Sequence, residues 1–94
     1  MKEAYLIGKI KEYLKSVEGL FVFKEHGGQY GTGGLPDLIV CYQGRFVAFE
    51  VKNEKGKTTV LQEITLRQIR KAGGTAVVVR SMEEVKAVIE SLRR

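Results

Sequence analysis

The chain of 94 residues contains one cysteine, one histidine, one proline and no tryptophan. Because Cys41 stands alone, an internal disulfide and a zinc site built from cysteines are both excluded. The N-terminal stretch MKEAYLIGKIKEYLK mixes charged with apolar residues and has no continuous apolar run, which is unlike a signal peptide or a membrane-spanning helix. These absences predict a soluble intracellular protein. Cys41 lies in an apolar run, so we expect it in the core.

Charge is abundant, with 16 Lys and Arg residues against 11 Asp and Glu residues and a net charge of +5. An excess of positive charge favours a polyanion as partner. The length fits a single domain over residues 1–94. A core of that size is marginal on its own, so dimerisation is a reasonable expectation.

Apolar periodicity and turn-forming residues predict seven elements in the order α-β-β-β-α-β-α. Helices are expected at residues 2–18, at 60–72 and from Ser81 to about 92, and strands at 20–24, 38–42, 45–52 and 75–80. The last strand, with three consecutive valines, is expected to be buried on both faces. A mixed sheet flanked by helices is the natural way to pack such a set, so the fold class is α/β.

A two-residue hairpin turn at Gln43-Gly44 would fix the register of the second and third strands. In that register Asp37 lies opposite Glu50, with their Cβ atoms roughly 4.5–5.5 Å apart. Strand alternation places Lys52 on the same face as Glu50. Three charged groups therefore converge on a face that also carries three apolar residues, and we expect that face to be buried: Ile39, Phe46 and Ala48.

Two opposed carboxylates repel each other and destabilise a sheet. Either one of them holds a proton, or a hard divalent cation such as Mg²⁺ bridges them. With a cation, the Lys52 ammonium could orient a water molecule and stabilise charge on a phosphate, which is the chemistry of phosphodiester hydrolysis. The plainer alternative is that Asp37 caps its strand after Pro36 while Glu50 and Lys52 face solvent; the apolar face weighs against it.

At these residues the sequence resembles the PD-(D/E)XK nucleases, through Pro36-Asp37 and, after twelve residues, Glu50-Val51-Lys52. The lead-in Gly34-Leu35-Pro36-Asp37, the pair Leu61-Gln62 and the stretch AGGTAVVV at 72–79 resemble the VRR-NUC branch of that superfamily. The likeness covers nearly the whole chain. It implies the restriction-endonuclease-like core α-β-β-β-α-β.

The resemblance also implies roles for individual residues. Asp37, Glu50 and the backbone carbonyl of Val51 would bind Mg²⁺ or Mn²⁺, and Lys52 would position the attacking water. Gln62 stands at the fourth motif position of the family, and its helical angle between Leu66 and Ile69 points it towards the sheet; the alternative is a polar residue that merely starts a helix. Glu3 matches an acidic residue of the first helix that reaches the metal or its water, unless it is a frayed, exposed glutamate.

The function that follows is a metal-dependent DNA endonuclease, similar to Holliday-junction resolvases, which cut branched DNA as twofold homodimers. Such small stand-alone forms resemble phage or bacterial proteins, which implies the cytoplasm of a bacterium or of an infected host. Two alternatives stay open: a nuclease for flaps or nicked duplex, and a non-catalytic DNA-binding module. Six residues are candidates for DNA contact: Tyr30, Lys55, Lys57, Arg67, Arg70 and Lys71.

Overall fold

The computed structural model describes residues 2–25 and 33–94. The predicted order of elements is confirmed. The helices are α1 (Glu3–Lys15), α2 (Val60–Lys71) and α3 (Met82–Leu92), and the strands are β1 (Leu20–Lys24), β2 (Leu38–Tyr42), β3 (Arg45–Val51) and β4 (Thr75–Val79).

Helix α1 ends three residues earlier than predicted. The Ser16 hydroxyl donates to the carbonyl oxygen of Tyr13 over 2.6 Å, which closes the last turn, and Gly19 then takes a positive φ of 79°. Polar hydroxyls compete in this way with helix continuation. Helix α3 begins as predicted, with the Ser81 side chain accepting from the backbone N–H of Glu84.

The four strands form one sheet in the order β1-β2-β3-β4, with β1, β2 and β3 antiparallel and β4 parallel to β3. The predicted hairpin register is confirmed, from Tyr42 opposite Arg45 to Leu38 opposite Phe49. Gln43 and Gly44 both have positive φ, 51° and 83°. A two-residue turn of type I′ needs this geometry because its twist matches that of the strands.

Helices α1 and α3 cover one face of the sheet and bury most of the apolar core. The strand residues on this face alternate with those on the other, as expected for a pleated sheet. The fully buried side chains of the core include Ile10, Leu14, Leu38, Val40, Val47, Phe49, Val51, Val85 and Ile89.

Helix α2 lies on the opposite face, where Ala48 of β3 and Ala76 of β4 are side by side and both buried against Leu66. The small alanines allow the helix to pack closely on these two strands. Among the described residues the helix leaves part of this face exposed, so two expectations are wrong: Cys41 is exposed, and Phe46 retains 46% of its surface.

Strand β4 is also less buried than predicted. It is the last strand of the sheet, and only Ala76 and Val79 are fully buried among its residues. An edge strand has a neighbour on one side only, so its apolar run does not require burial on both faces. Within residues 2–25 and 33–94, no helix is long and apolar enough to cross a membrane.

Candidate active site

Asp37 and Glu50 meet at the end of the β2–β3 hairpin. Asp37 immediately precedes β2, and the register that pairs Leu38 with Phe49 makes Asp37 and Glu50 the next pair. Asp37 Oδ2 also accepts a hydrogen bond from the backbone N–H of Val51 over 2.8 Å. The two carboxylates are therefore neighbours, as the hairpin register predicted, and the reading in which Glu50 faces solvent is wrong.

Glu50 is the buried charged residue of this site, with 2% of its surface exposed. Its Oε2 accepts from Gln62 Nε2 over 3.1 Å and lies 3.5 Å from Lys52 Nζ. Its Oε1 is buried and has no hydrogen-bond partner among the described residues. Burial first, and then the nearby Asp37 carboxylate, raise the pKa of Glu50 to about 8, although Lys52 acts in the opposite direction.

Gln62 contacts both the start of α2 and the buried Glu50, so the alternative of a residue that merely starts a helix is wrong, and its role in the reaction stays a prediction. Its side-chain Oε1 accepts from the backbone N–H of Thr59 over 2.9 Å. The backbone N–H of Gln62 donates to the Thr59 hydroxyl, and the two bonds form a capping box at the start of α2. Its Nε2 reaches Glu50. The helical angle predicted that Gln62 would point to the sheet, and this is confirmed.

Glu3 is held against the turn that follows Lys52. It is half-buried, so the frayed and exposed alternative is wrong, and its Oε2 accepts from the backbone N–H of Asn53 over 3.3 Å. A Cβ added to Gly56 would lie 2.7 Å from Glu3 Oε2 and 3.4 Å from the Cβ of Lys52. Glu3 thus contacts the turn at residues 53–56, which follows Lys52 and which we call the Lys52 turn. Its hydrogen bond is to the first residue of that turn.

Arg80 is a residue of this region that the sequence did not indicate. Its Nη1 donates to the carbonyl oxygens of Asn53 and Gly56, over 2.6 and 2.7 Å. Asn53 Oδ1 accepts from the N–H groups of Lys55 and Gly56, a turn of the kind that asparagine side chains form with the backbone that follows them. No comparable signal marks Arg80, because its contacts are 24 and 27 residues away along the chain.

The candidate DNA-contacting residues have different surroundings. Lys55, Lys57, Arg67 and Lys71 are exposed. Arg70 donates from Nε to the carbonyl oxygen of Ala76 over 2.7 Å, so it also ties α2 to β4. Tyr30 lies outside the described residues.

The carboxylate pair fits a hard divalent cation. In the part of the chain that the structure describes, no group of three or more His, Cys, Asp and Glu residues could hold a metal. The available side-chain donors are the oxygens of Asp37 and Glu50, and oxygen is the donor that Mg²⁺ prefers. The Val51 carbonyl stays a predicted third ligand. Since Glu50 Oε1 is buried and finds no partner in the described part of the chain, its burial is costly unless a cation or a proton satisfies it.

No protein-family model matches the chain, and no curated protein matches it. A solved structure described as a VRR_NUC domain is 30% identical, covers 97% of both chains and superposes with a TM-score of 0.79. A second one, described as a VRR_NUC domain protein, is 19% identical, covers 96% of this chain and 86% of its own and has a TM-score of 0.76, which shows the fold alone. The architecture is therefore the restriction-endonuclease-like α/β fold that the sequence predicted.

Proposed function

The chain belongs to the VRR-NUC family of nuclease domains, and on that premise we propose that it hydrolyses phosphodiester bonds within DNA with the help of Mg²⁺ or Mn²⁺. The observation that carries the proposal is the Glu50 carboxylate. One of its oxygens is occupied by Gln62 and Lys52, whereas the other is buried beside Asp37 and has no hydrogen-bond partner within residues 2–25 and 33–94. A bound cation would satisfy this oxygen in place of the proton that the raised pKa of Glu50 retains in the metal-free protein.

Asp37, Glu50 and the Val51 carbonyl would hold the metal. When bound, the cation would supply Lewis-acid activation of water and neutralise charge on the phosphate. Lys52 places an ammonium group at the same site, where it would orient the attacking water and stabilise the negative charge of the transition state. Gln62 fixes the rotamer of Glu50 by its bond to Oε2, so that Oε1 stays directed away from the helix amide.

The substrate that we propose is branched DNA, above all the four-way junction, cut by a twofold homodimer. The net charge of +5 favours a DNA partner. A junction has two equivalent strands, and a twofold dimer presents two equivalent active sites to them. Two linked sites also bind together more tightly than one, because the second contact is made at high effective concentration.

The test is cleavage of four-way junction, flap, nicked duplex and linear duplex, each with Mg²⁺, Mn²⁺ or EDTA. Asp37→Asn should abolish cleavage without unfolding, because Asn keeps an oxygen that can accept from Val51 N. Glu12→Gln, at an exposed position of α1, is the matched control. Cleavage by Asp37→Asn, or by the wild type in EDTA, contradicts the proposed metal site. If flaps or nicked duplexes are cut in preference to four-way junctions, the proposed substrate is wrong.

Lys52→Ala separates binding from catalysis. We expect this variant to bind DNA and to lose cleavage, since it removes the ammonium beside Glu50 and leaves the exposed basic residues in place. The proposed hydrolysis is wrong if the wild type binds junction DNA but cuts none of the substrates with either metal. In that case the chain is a DNA-binding module.

A further inference from the structure

The ammonium group of Lys52 lies beside the buried Glu50 although a lysine side chain is long. Lys52 Nζ is 3.5 Å from Glu50 Oε2, and only 12% of the Lys52 side chain is exposed. A lysine ammonium is carried on a flexible four-carbon stem, so neighbouring atoms must restrict that stem if the ammonium is to keep one position. The position of the ammonium therefore depends on what holds the backbone and the stem around it.

The Lys52 turn packs against that stem. A Cβ added to Gly56 would lie 3.4 Å from the Cβ of Lys52, so the turn folds back until its last residue is beside the lysine. The backbone N–H of Lys52 donates to the carbonyl oxygen of Val79 over 3.0 Å, which ties this residue to the end of β4. A displacement of Gly56 would therefore open space beside the Lys52 side chain.

Two charged side chains from distant parts of the chain hold the turn at Asn53. Glu3 Oε2 accepts from the backbone N–H of Asn53 over 3.3 Å, and Arg80 Nη1 donates to the carbonyl oxygen of Asn53 over 2.6 Å. The same Nη1 donates to the carbonyl oxygen of Gly56 over 2.7 Å, so Arg80 joins the first and last residues of the turn. Hydrogen bonds with one charged partner are roughly twice as strong as neutral ones. Since the bonds from Arg80 are shorter than the bond to Glu3, Arg80 is the principal anchor of the turn.

The backbone of Arg80 is itself fixed at the junction between β4 and α3. Arg80 directly follows β4, and its backbone N–H donates to Glu84 Oε1 over 2.6 Å. The backbone N–H of Glu84 donates in turn to the Ser81 hydroxyl at the start of α3. The guanidinium therefore extends from a hydrogen-bonded junction to a turn that lies 24 to 27 residues earlier in the chain.

We propose that Arg80 is a positioning residue, which fixes the Lys52 turn and, through Gly56, holds the Lys52 ammonium beside Glu50. The inference rests on the proposed function for the part that Lys52 plays in cleavage and not for the anchoring of the turn. Without the guanidinium, the turn keeps the longer bond to Glu3, and Gly56 is no longer held against the lysine stem. A displacement of about 1 Å can slow catalysis about 100-fold, so we expect Arg80→Ala to slow the cleavage step by about 10- to 100-fold.

Single-turnover cleavage and DNA-binding titrations of Arg80→Ala separate positioning from two other roles of an exposed arginine. Positioning predicts a slower cleavage step at saturating DNA, with the DNA affinity and its salt dependence of the wild type. A phosphate contact would instead weaken binding and reduce by about one the slope of log affinity against log salt concentration. A residue that only stabilises the fold would lower the free energy of unfolding and leave the cleavage step unchanged. Either of these two results overturns the inference.

Arg45→Ala is the matched control. Arg45 Nη1 also donates to a backbone carbonyl oxygen, that of Leu92, over 3.3 Å. Arg45 is the first residue of β3, seven residues before Lys52 and roughly 23 Å from it along the strand. This variant removes a guanidinium bond of the same kind without touching the Lys52 turn, so its cleavage step should remain that of the wild type. Urea denaturation checks that both variants are folded under the conditions of the assay.

Amide hydrogen exchange tests the anchoring without any cleavage. The backbone N–H groups of Asn53 and Gly56 are bonded to Glu3 and to the Asn53 side chain, and both should exchange faster when the turn loses Arg80. We expect their exchange in Arg80→Ala to rise about tenfold or more, the effect of losing a hydrogen bond to a charged group, while amides at the centre of β3 exchange as in the wild type. Arg45→Ala should leave the exchange of the turn unchanged.

Unchanged exchange at the Lys52 turn in Arg80→Ala overturns the inference, whether or not the chain cuts DNA. Faster exchange of the turn together with an unchanged cleavage step also overturns it, because the turn would then have no effect on Lys52. A wild type that cuts none of the substrates removes the proposed hydrolysis alone, and hydrogen exchange still decides whether Arg80 anchors the turn.

Discussion

Gln62 Nε2 donates to Glu50 Oε2 over 3.1 Å, and this bond joins the first turn of α2 to the penultimate residue of β3. The same amide group caps the helix through Thr59. The start of α2 and the orientation of the buried carboxylate are therefore determined by one side chain. A change at Gln62 affects both, whereas a change at Thr59 affects the cap alone.

We predict that Gln62→Ala and Thr59→Ala have similar effects on stability and different effects on cleavage. Each removes a bond of the capping box and should lower the free energy of unfolding by about 1 kcal/mol. Only Gln62→Ala also frees Glu50, so its cleavage rate should fall at least tenfold while that of Thr59→Ala stays within about twofold. Urea denaturation and single-turnover cleavage measure the two effects. Equal cleavage by the two variants would mean that the Gln62–Glu50 bond has no role in the reaction.

A second prediction concerns the stability of the metal-free protein as a function of pH. The pKa of Glu50 is about 8 in the folded protein and 4.5 in its ordinary state, because burial and Asp37 disfavour the charged form. Between these values the folded protein holds a proton that the unfolded chain has released. The free energy of unfolding should therefore fall as pH rises from 4.5 to about 8, by up to about 1.4 kcal/mol per pH unit, and this contribution should be constant outside that range.

Glu50→Gln is the control for this pH dependence. Glutamine resembles the protonated form at every pH, so the difference in stability between variant and wild type should grow with pH in EDTA. Urea denaturation at pH 5, 6, 7 and 8 measures it. A constant difference across that range would show that the carboxylate does not take up a proton on folding.

The packing of Gly56 leads to a third prediction. A methyl group at this position would meet Glu3 Oε2 at 2.7 Å, so in Gly56→Ala the flexible Glu3 side chain must turn away and lose its bond to Asn53. The expected cost is about 0.5–1.5 kcal/mol, the usual value of one hydrogen bond. Since Glu3→Ala removes the same bond, the double variant should cost clearly less than the sum of the single ones.

Gly8 provides the matched control for Gly56. It lies in α1, and a Cβ added there meets nothing within 4 Å. Gly8→Ala should raise the free energy of unfolding by about 1 kcal/mol because alanine is the better helix former. Additive effects of Glu3→Ala and Gly56→Ala would contradict the contact between Glu3 and the Lys52 turn.

A fourth prediction separates basic residues that contact DNA from one that supports the fold. Lys57→Gln, at an exposed position, should leave stability unchanged and reduce by about one the slope of log affinity against log salt concentration. Arg70→Gln should instead lower the free energy of unfolding, since it removes the bond to Ala76 that ties α2 to β4. Binding titrations at several salt concentrations, with Lys52→Ala to prevent cleavage, measure the slopes. An unchanged slope in Lys57→Gln places this residue outside the DNA contact.

The centre of the candidate site could be predicted from the sequence because it is built on one hairpin. Alternation along two strands and the turn at Gln43-Gly44 determine which residues oppose each other, and these rules act over a few residues. Asp37, Glu50 and Lys52 therefore met as predicted. The helical angle of Gln62 is likewise a local property, and it indicated the inward direction correctly.

Other features depended on how the elements pack. Glu3 and Asn53 are 50 residues apart, and Arg80 reaches its turn from the end of β4, so no local spacing announces either contact. The exposure of Cys41 and Phe46 was missed for a related reason. Alternation assigns a residue to a face of the sheet, but whether a helix covers that residue depends on the position of α2, which packs on Ala48 and Ala76 and leaves Cys41 and Phe46 exposed. Local rules determine register and side, and only tertiary packing decides what each side touches.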